Sequence, residues 1–328
     1  MAGAGWRPAL DRAGLERRAA ALAAIRGFFA ARGVLEVDTP QLVRHAVTDP
    51  ALHSAEVRWP GGSQGPAGAA AGYLHTSPEY SMKRLLAAGS GDIYQLCHVF
   101  RGDEQGALHN PEFMLLEWYR VGWPMRQLGD EVEALLRMLH PGPLAPVRWL
   151  GYDQAFREQL GVSALEDTQP RLVECARAAG FDAALLARCS RDELLDLLVG
   201  TTIGPRLGLG GPLFLHGYPA SQAALARLDP ADPRTALRFE LYLDGVELCN
   251  GFEELGDAGE QRARFEADRA TRRARGLAVP EADAYLLQAL AAGLPDCSGV
   301  AVGIDRLLMV AAGVRQLDAV LPFRSERA

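Results

Sequence analysis

The chain has 328 residues, too many for a minimal fold and right for one large domain or two ordinary ones. Hydrophobic residues make up 48% and charged residues 23%, which excludes wholesale disorder, and no apolar run reaches the ~18 residues of a membrane span. A net charge of −7 speaks against a general nucleic-acid coat, and Met1–Asp11 holds no apolar core of signal-peptide length, so the expectation is a cytoplasmic protein without membrane contact.

The apolar residues Leu15, Leu22, Ile25 and Phe29 recur at helical spacing, with Gly33 placed to end the helix. Residues 34–37 read as a short strand stopped by Thr39-Pro40. A low-complexity loop, 60–72, lies between the strand-like stretches 56–59 and 73–75. Ser77-Pro78 reads as N-cap and first turn of a helix running through 80–88. Residues 92–101 and 113–123 form two strands of an antiparallel hairpin joined by the polar loop 102–111. From Met125 to about Leu207 the text is mostly helical, with breaks near Pro141–Pro146 and Gly180. A strand returns at 213–216. Phe239–Leu243 and Val246–Asn250 flank Asp244-Gly245, a pair suited to a type I′ turn. An arginine-rich helix follows at 259–275, then a strand at 299–303 and a helix at 305–312. Antiparallel pairs with helices between them predict an α+β fold.

The five cysteines, Cys97, Cys175, Cys189, Cys249 and Cys297, are odd in number and no two lie within ten residues. That pattern points to reduced thiols rather than a disulfide framework or a zinc site built on paired cysteines.

Three constellations carry chemistry. In the first, Arg101 ends a strand and opens a loop of acids and amides, with Gly102, Asp103, Glu104, His109 and Asn110; a guanidinium there suits phosphate oxygens. On the following strand, alternation puts Glu117 and Tyr119 on one face with Phe113 and Leu115. Such a face suits a substrate ammonium group or a salt bridge at the sheet edge, and spacing alone favours the salt bridge, the commoner case. In the second, a two-residue turn at Asp244-Gly245 pairs Tyr242 with Glu247 and Glu240 with Cys249, so Glu240 and Glu247 share a face. Two carboxylates so placed repel unless a cation joins them; Mg²⁺ and a solvated polar strand are equal readings. Parity puts Glu254 on the other face unless Gly251 marks a bulge. In the third, a small-residue strand turns at Gly303 into a helix with Arg306 in its first turn, which admits a flat or phosphorylated ligand.

Together these segments resemble motifs 2 and 3 of the class II aminoacyl-tRNA synthetases of the lysyl type. Phe100–Glu104, His109–Phe113 and Leu116–Tyr119 resemble motif 2, and Gly299–Met309 resembles motif 3. Phe239–Leu255 and Thr76–Leu86 resemble the lysyl-type segments around them, and the helix and strand ending at Pro40 are more loosely similar to motif 1, the dimer element. With Pro219–Ala226 and Leu294–Ala301, the likeness extends to the freestanding lysyl-type cores that act as elongation factor P–(R)-β-lysine ligases. It implies a single class II synthetase-like catalytic domain over 1–328: an antiparallel sheet flanked by helices, a helical insertion at about 125–210, and no N-terminal anticodon-binding OB-fold.

By resemblance, Arg101, Glu247 and Arg306 are catalytic. Arg101, Gly102, Asp103, His109, Asn110, Glu247, Leu248, Gly303 and Arg306 bind ATP, and Glu240 and Glu247 hold Mg²⁺. Ser77, Pro78, Glu79, Glu117, Tyr119 and Glu254 bind the amino acid. The implied partners are (R)-β-lysine or lysine, elongation factor P as acceptor and a second copy of the chain, without tRNA. The implied reaction is activation to an aminoacyl-adenylate and transfer to a protein lysine. Alternatives are a lysyl-tRNA ligase lacking an anticodon domain and a non-catalytic regulatory paralogue. Two positions depart from the family pattern: the usual Arg-Asn-Glu of motif 2 reads Arg101-Gly102-Asp103, and Glu253 precedes Glu254 where His, Ser or Thr is common. Of 34 basic residues only Lys83 is lysine. Base composition accounts for this most simply; protection from self-acylation is a second account.

Overall fold

The structure, a computed structural model, describes residues 6–59, 71–102 and 104–328, and the chain divides into two compact units. The first takes residues 1–123, 255–297 and 301–328, the second 124–254 and 298–300.

The first unit begins with α1 (Arg12–Ala30), whose N-cap Asp11 accepts the Gly14 N–H and which stops short of Gly33, at φ +68°. Next come the short strands β1 (Leu35–Glu36), β2 (Leu42–Val43), β3 (Glu56–Arg58) and β4 (Ala71–Leu74), then α2 (Glu79–Ala87). The N-cap of α2 is Pro78, one residue later than expected, although the Ser77 hydroxyl still accepts the Glu79 N–H at the start of the helix. Strands β5 (Ile93–Phe100) and β6 (Glu112–Val121) make the expected antiparallel pair, with Gln95 opposite Glu117. Phe29 of α1 stacks on Tyr94 at 4.4 Å and meets Trp118 edge-on at 5.2 Å, which fixes the helix over this hairpin.

The second unit opens with α3 (Met125–Leu139), β7 (Arg148–Gly151), α4 (Tyr152–Leu160), α5 (Gln169–Ala178), α6 (Ala183–Leu186) and α7 (Arg191–Leu198). Buried Tyr152, Phe156, Leu172, Leu194 and Leu198 form its helical core, closed against Leu213 and Leu215. Strands β8 (Leu213–Pro219), β9 (Thr235–Leu243) and β10 (Val246–Glu253) complete the unit in the order β10-β9-β8-β7. The first unit then resumes with α8 (Ala258–Ala274), α9 (Ala284–Gly293), β11 (Cys297–Gly303), three of whose residues count with the second unit, and α10 (Ile304–Ala311).

The class is α+β, as the strand pairing predicts, but the sheet strands are not all antiparallel. β1 runs parallel to β5, and β7, inside the stretch read as helical, runs parallel to β8. The four residues of β7 are too few to show a period, and their partner lies about sixty residues downstream. Both turn residues, Asp244 (φ 52°) and Gly245 (φ 76°), adopt the left-handed conformation a type I′ turn needs. A Cβ at Gly245 would lie 2.6 Å from the Pro205 carbonyl oxygen. All five cysteines are free, and no described helix is long and apolar enough to cross a membrane.

Candidate active site

In the first unit, β5 ends at Phe100 and delivers Arg101 to the loop that leads to β6. The guanidinium lies 3.5 Å from Glu104, donates weakly to the Thr76 carbonyl and sits 5.1 Å from the Phe113 ring centre. Glu104 thus holds a charge a phosphate can replace. At Gly102 a Cβ would press within 3.2 Å of the His53 carbonyl oxygen, which accepts the Gly102 N–H at 2.7 Å. The departure from the family pattern at this position therefore has a local cause: the loop main chain packs on residue 53. Asp103 lies outside the described residues.

Arg306, in the first turn of α10, donates through Nε to the Leu108 carbonyl at 3.1 Å. Its neighbour Asp305 is buried; one oxygen accepts Arg18 of α1 at 2.6 Å and the other the Met114 N–H of β6 at 2.8 Å. This acid ties the motif 3 helix to two other elements. Burial first, then the charges of Arg306 and Arg101, hold His109 below its ordinary pKa, so its ring is neutral near pH 7. Asn110 donates to the Glu112 carbonyl and shapes the loop exit. Gly303 is the N-cap of α10.

On β6, Glu117 is 3% exposed and accepts two hydroxyls, Ser77 at 2.7 Å and Tyr119 at 2.7 Å. Ser77 in turn accepts the Glu79 N–H, while Glu79 pairs with Lys83 one helical turn on, at 2.7 Å. Lys83, the single lysine, is 1% exposed. Burial, and next the charge of Glu79, push the Glu117 carboxyl up to about 7, against the two hydroxyls and Lys83. Among the described residues the side-chain donors to Glu117 are the two neutral hydroxyls of Ser77 and Tyr119.

In the second unit, β9 and β10 pair Glu247 with Tyr242 as expected, but a bulge at Leu248 shifts the register beyond it. Glu240 then faces Asn250, not Cys249, and Phe252 faces Arg238. The extra residue reverses the parity of everything after it. Glu247, Asn250, Phe252 and Glu254 therefore share the face of Arg238, Glu240 and Tyr242, which corrects the placement of Glu254 by strand alternation alone. The bulge sits at Leu248, 2% exposed, rather than at Gly251.

Arg238 organises this face. It donates to Asn250 Oδ1 at 3.1 Å, to the Gln222 carbonyl at 2.8 Å and to Glu240 Oε1 at 2.6 Å; the other Glu240 oxygen accepts Tyr242 at 2.8 Å. Burial opposes the Arg238 charge, but Glu240, Tyr218 and Glu247 outweigh it and hold the pKa above its ordinary value. Residue-by-residue reading missed Arg238 and Tyr242, although period-two alternation already put them beside Glu240. Glu253 points to the opposite face. Its carboxylate accepts the Met125 N–H at the start of α3, at 2.9 Å, and pairs with Arg227. An acid at a helix N-terminus is a favourable partner for the dipole, so this departure has a structural role.

Among the described residues no cluster of three or more His, Cys, Asp or Glu forms a ready metal cage. Glu240 and Glu247 supply only hard oxygen donors, which fits a Mg²⁺ ion that keeps most of its shell as water and phosphate oxygen.

The family model for class II tRNA synthetases (D, K and N) matches residues 7–142 and 199–327. A protein of Erwinia tasmaniensis named elongation factor P–(R)-β-lysine ligase is 48% identical over 327 residues, 99% of this chain and 98% of its own. Proteins of the same name from Vibrio cholerae and Salmonella dublin are 46% and 48% identical over 328 and 325 residues, covering 100% and 98% of both chains. Sheet, motif loops and matched length agree: the chain belongs to the class II tRNA synthetase family (D, K and N).

Proposed function

We propose that this chain is an ATP-dependent ligase that activates (R)-β-lysine, or lysine, as an aminoacyl-adenylate and transfers it to a lysine side chain of elongation factor P. The reading rests on identity of 46–48% to ligases of that name across at least 98% of this chain and of each relative. The buried Glu117–Tyr119–Ser77 group supports it, since it offers an acid to a substrate ammonium.

In this reading a carboxylate oxygen of the amino acid attacks the α-phosphorus and the bond to the β-phosphate breaks, releasing pyrophosphate. Arg101 exchanges Glu104 for the α-phosphate and Arg306 takes nucleotide charge. His109, Asn110, Gly102, Asp103, Leu248 and Gly303 line the nucleotide. Glu117, with Tyr119 and Ser77, orients the ammonium; Glu79, Pro78 and Glu254 complete the amino-acid site. Glu240 and Glu247 hold Mg²⁺, which neutralises phosphate charge when bound. The acceptor amine then attacks the carbonyl carbon, AMP leaves and the nitrogen loses a proton. No covalent enzyme intermediate is needed, so rate comes from positioning and charge neutralisation.

We read residues 1–328 as one catalytic domain with about 125–210 as a helical insertion; the family model leaves 143–198 unmatched, which supports this. We also read the protein as a cytoplasmic homodimer that does not use tRNA. Leu15 and Leu35, 42% and 57% exposed on α1 and β1, suit a dimer face, and the net charge of −7 disfavours tRNA.

The test is ATP–pyrophosphate exchange with Mg²⁺, comparing (R)-β-lysine, lysine and no amino acid, followed by transfer to elongation factor P. Exchange is expected with (R)-β-lysine above lysine, and chelation by EDTA is expected to abolish it. Exchange led by lysine together with tRNA charging favours the tRNA ligase; no exchange with either favours a regulatory paralogue.

A further inference from the structure

We infer that Arg324 is a positioning residue that holds the 105–110 loop in its ATP-binding shape; the inference rests on the ligase reading for what the loop binds. The loop has little structure of its own. Its internal main-chain bonds are the two reciprocal ones between Gly106 and His109, both long at 3.3 Å. Every residue from 105 to 110 is instead tied to the C-terminal part of the first unit. Gln105 reaches Glu326 at 3.4 Å. The Ala107 carbonyl accepts the Leu317 N–H at 3.1 Å, and the Leu108 carbonyl accepts Arg306. Asn110 Oδ1 accepts both the backbone N–H and the hydroxyl of Ser325 at 3.2 Å.

Arg324 closes the set. One terminal nitrogen, Nη2, donates to the Gly106 carbonyl at 2.7 Å and to the His109 carbonyl at 2.8 Å, bridging the two ends of the loop's narrow bridge. The other, Nη1, donates to Asp318 at 3.0 Å, which sets the guanidinium plane. The Arg324 side chain is 14% exposed, while its partner Asp318 is 57% exposed, so the guanidinium is packed and its anchor faces solvent. A guanidinium can span two carbonyls while anchored to a carboxylate because its donors are fixed in one plane; an ammonium cannot keep all three directions. Arg324 touches neither substrate in this scheme. It fixes the main chain that carries His109 and Asn110, and it presents the Leu108 carbonyl to Arg306.

The test uses the full chain and two variants. Arg324→Ala is expected to raise the KM for ATP about tenfold in pyrophosphate exchange, the loss of one charge-assisted contact set, with kcat and the KM for the amino acid within about twofold of wild type. Arg324→Lys is expected to recover part of that loss. Hydrogen–deuterium exchange of the ligand-free proteins is the second readout: peptides covering 104–110 are expected to exchange faster in Arg324→Ala, with α8 unchanged. An unaltered loop exchange rate overturns the inference, as does an equal loss for ATP and amino acid accompanied by a lower melting temperature. Wild-type protein without pyrophosphate exchange overturns the ligase reading instead, while the hydrogen exchange result still decides whether Arg324 holds the loop.

Discussion

Glu117 is a buried acid beside a second acid, Glu79. Burial and Glu79 raise its pKa to about 7, so below that pH the pocket turns neutral and loses its pull on an ammonium. The KM for the amino acid is therefore expected to climb about tenfold per pH unit below 7, and Glu117→Gln to raise it above pH 7 and flatten the profile. Stability moves the other way. The unfolded group titrates near 4.5, so between 4.5 and about 7 the folded state binds more protons and stability falls as pH rises. Urea midpoints across that window are expected to show a slope that Glu117→Gln removes. At Glu247, replacement by Gln deletes an oxygen charge on the face organised by Arg238; pyrophosphate exchange is expected to fall about 10²–10³-fold with little change in melting temperature. Both acids could be found from the sequence, because residue type and strand alternation suffice when the register is regular. Glu254 could not be placed, since nothing in its neighbourhood announces a bulge six residues earlier. Lys83 and Glu79 stand at i and i+4 on a helix, a signal present in the sequence and left unread.

The bulge at Leu248 changes which residues in the second half of β10 meet Arg238. Five residues after the turn Asn250 and then Phe252 lie on the arginine face, with Gly251 and Glu253 on the other. A Cβ at Gly251 would come within 2.4 Å of the Phe239 ring and 3.1 Å of the Gly299 carbonyl. Gly251→Ala is expected to lower unfolding stability by roughly 1–3 kcal/mol in urea titrations, the cost of overpacking between two strands. The arginine-rich helix α8 was legible, including its limits to within a residue, because its polar face and Asp257 cap are local signals. Its main anchor was not. Arg272, 4% exposed, donates to four carbonyls, those of Thr48, Asp49, Leu52 and Ala278. These partners sit up to about 220 residues away, beyond any periodicity. Arg272→Met is expected to cost roughly 3 kcal/mol or more by stranding them, read as a lower urea midpoint. Helix α9 and strand β7 were missed for different reasons: α9 is apolar with little contrast between its faces, and β7 gains its strand character from β8.

At the scale of the molecule, the α+β class and the order of motifs followed from sequence, whereas the parallel pairs at β1 and β7 needed partners that sequence does not name. A formal charge of −7 is carried by 33 arginines and one lysine against 41 acids. That one lysine, Lys83, lies buried under Glu79. An amine-acylating reaction can therefore be followed without background from the catalyst's side chains. A protease that cleaves after lysine should split the unfolded chain once, and a succinimide ester dye applied to the native protein should colour the α-amino group alone. Each acyl-lysine peptide seen in a digest of the mixture then reports on the acceptor.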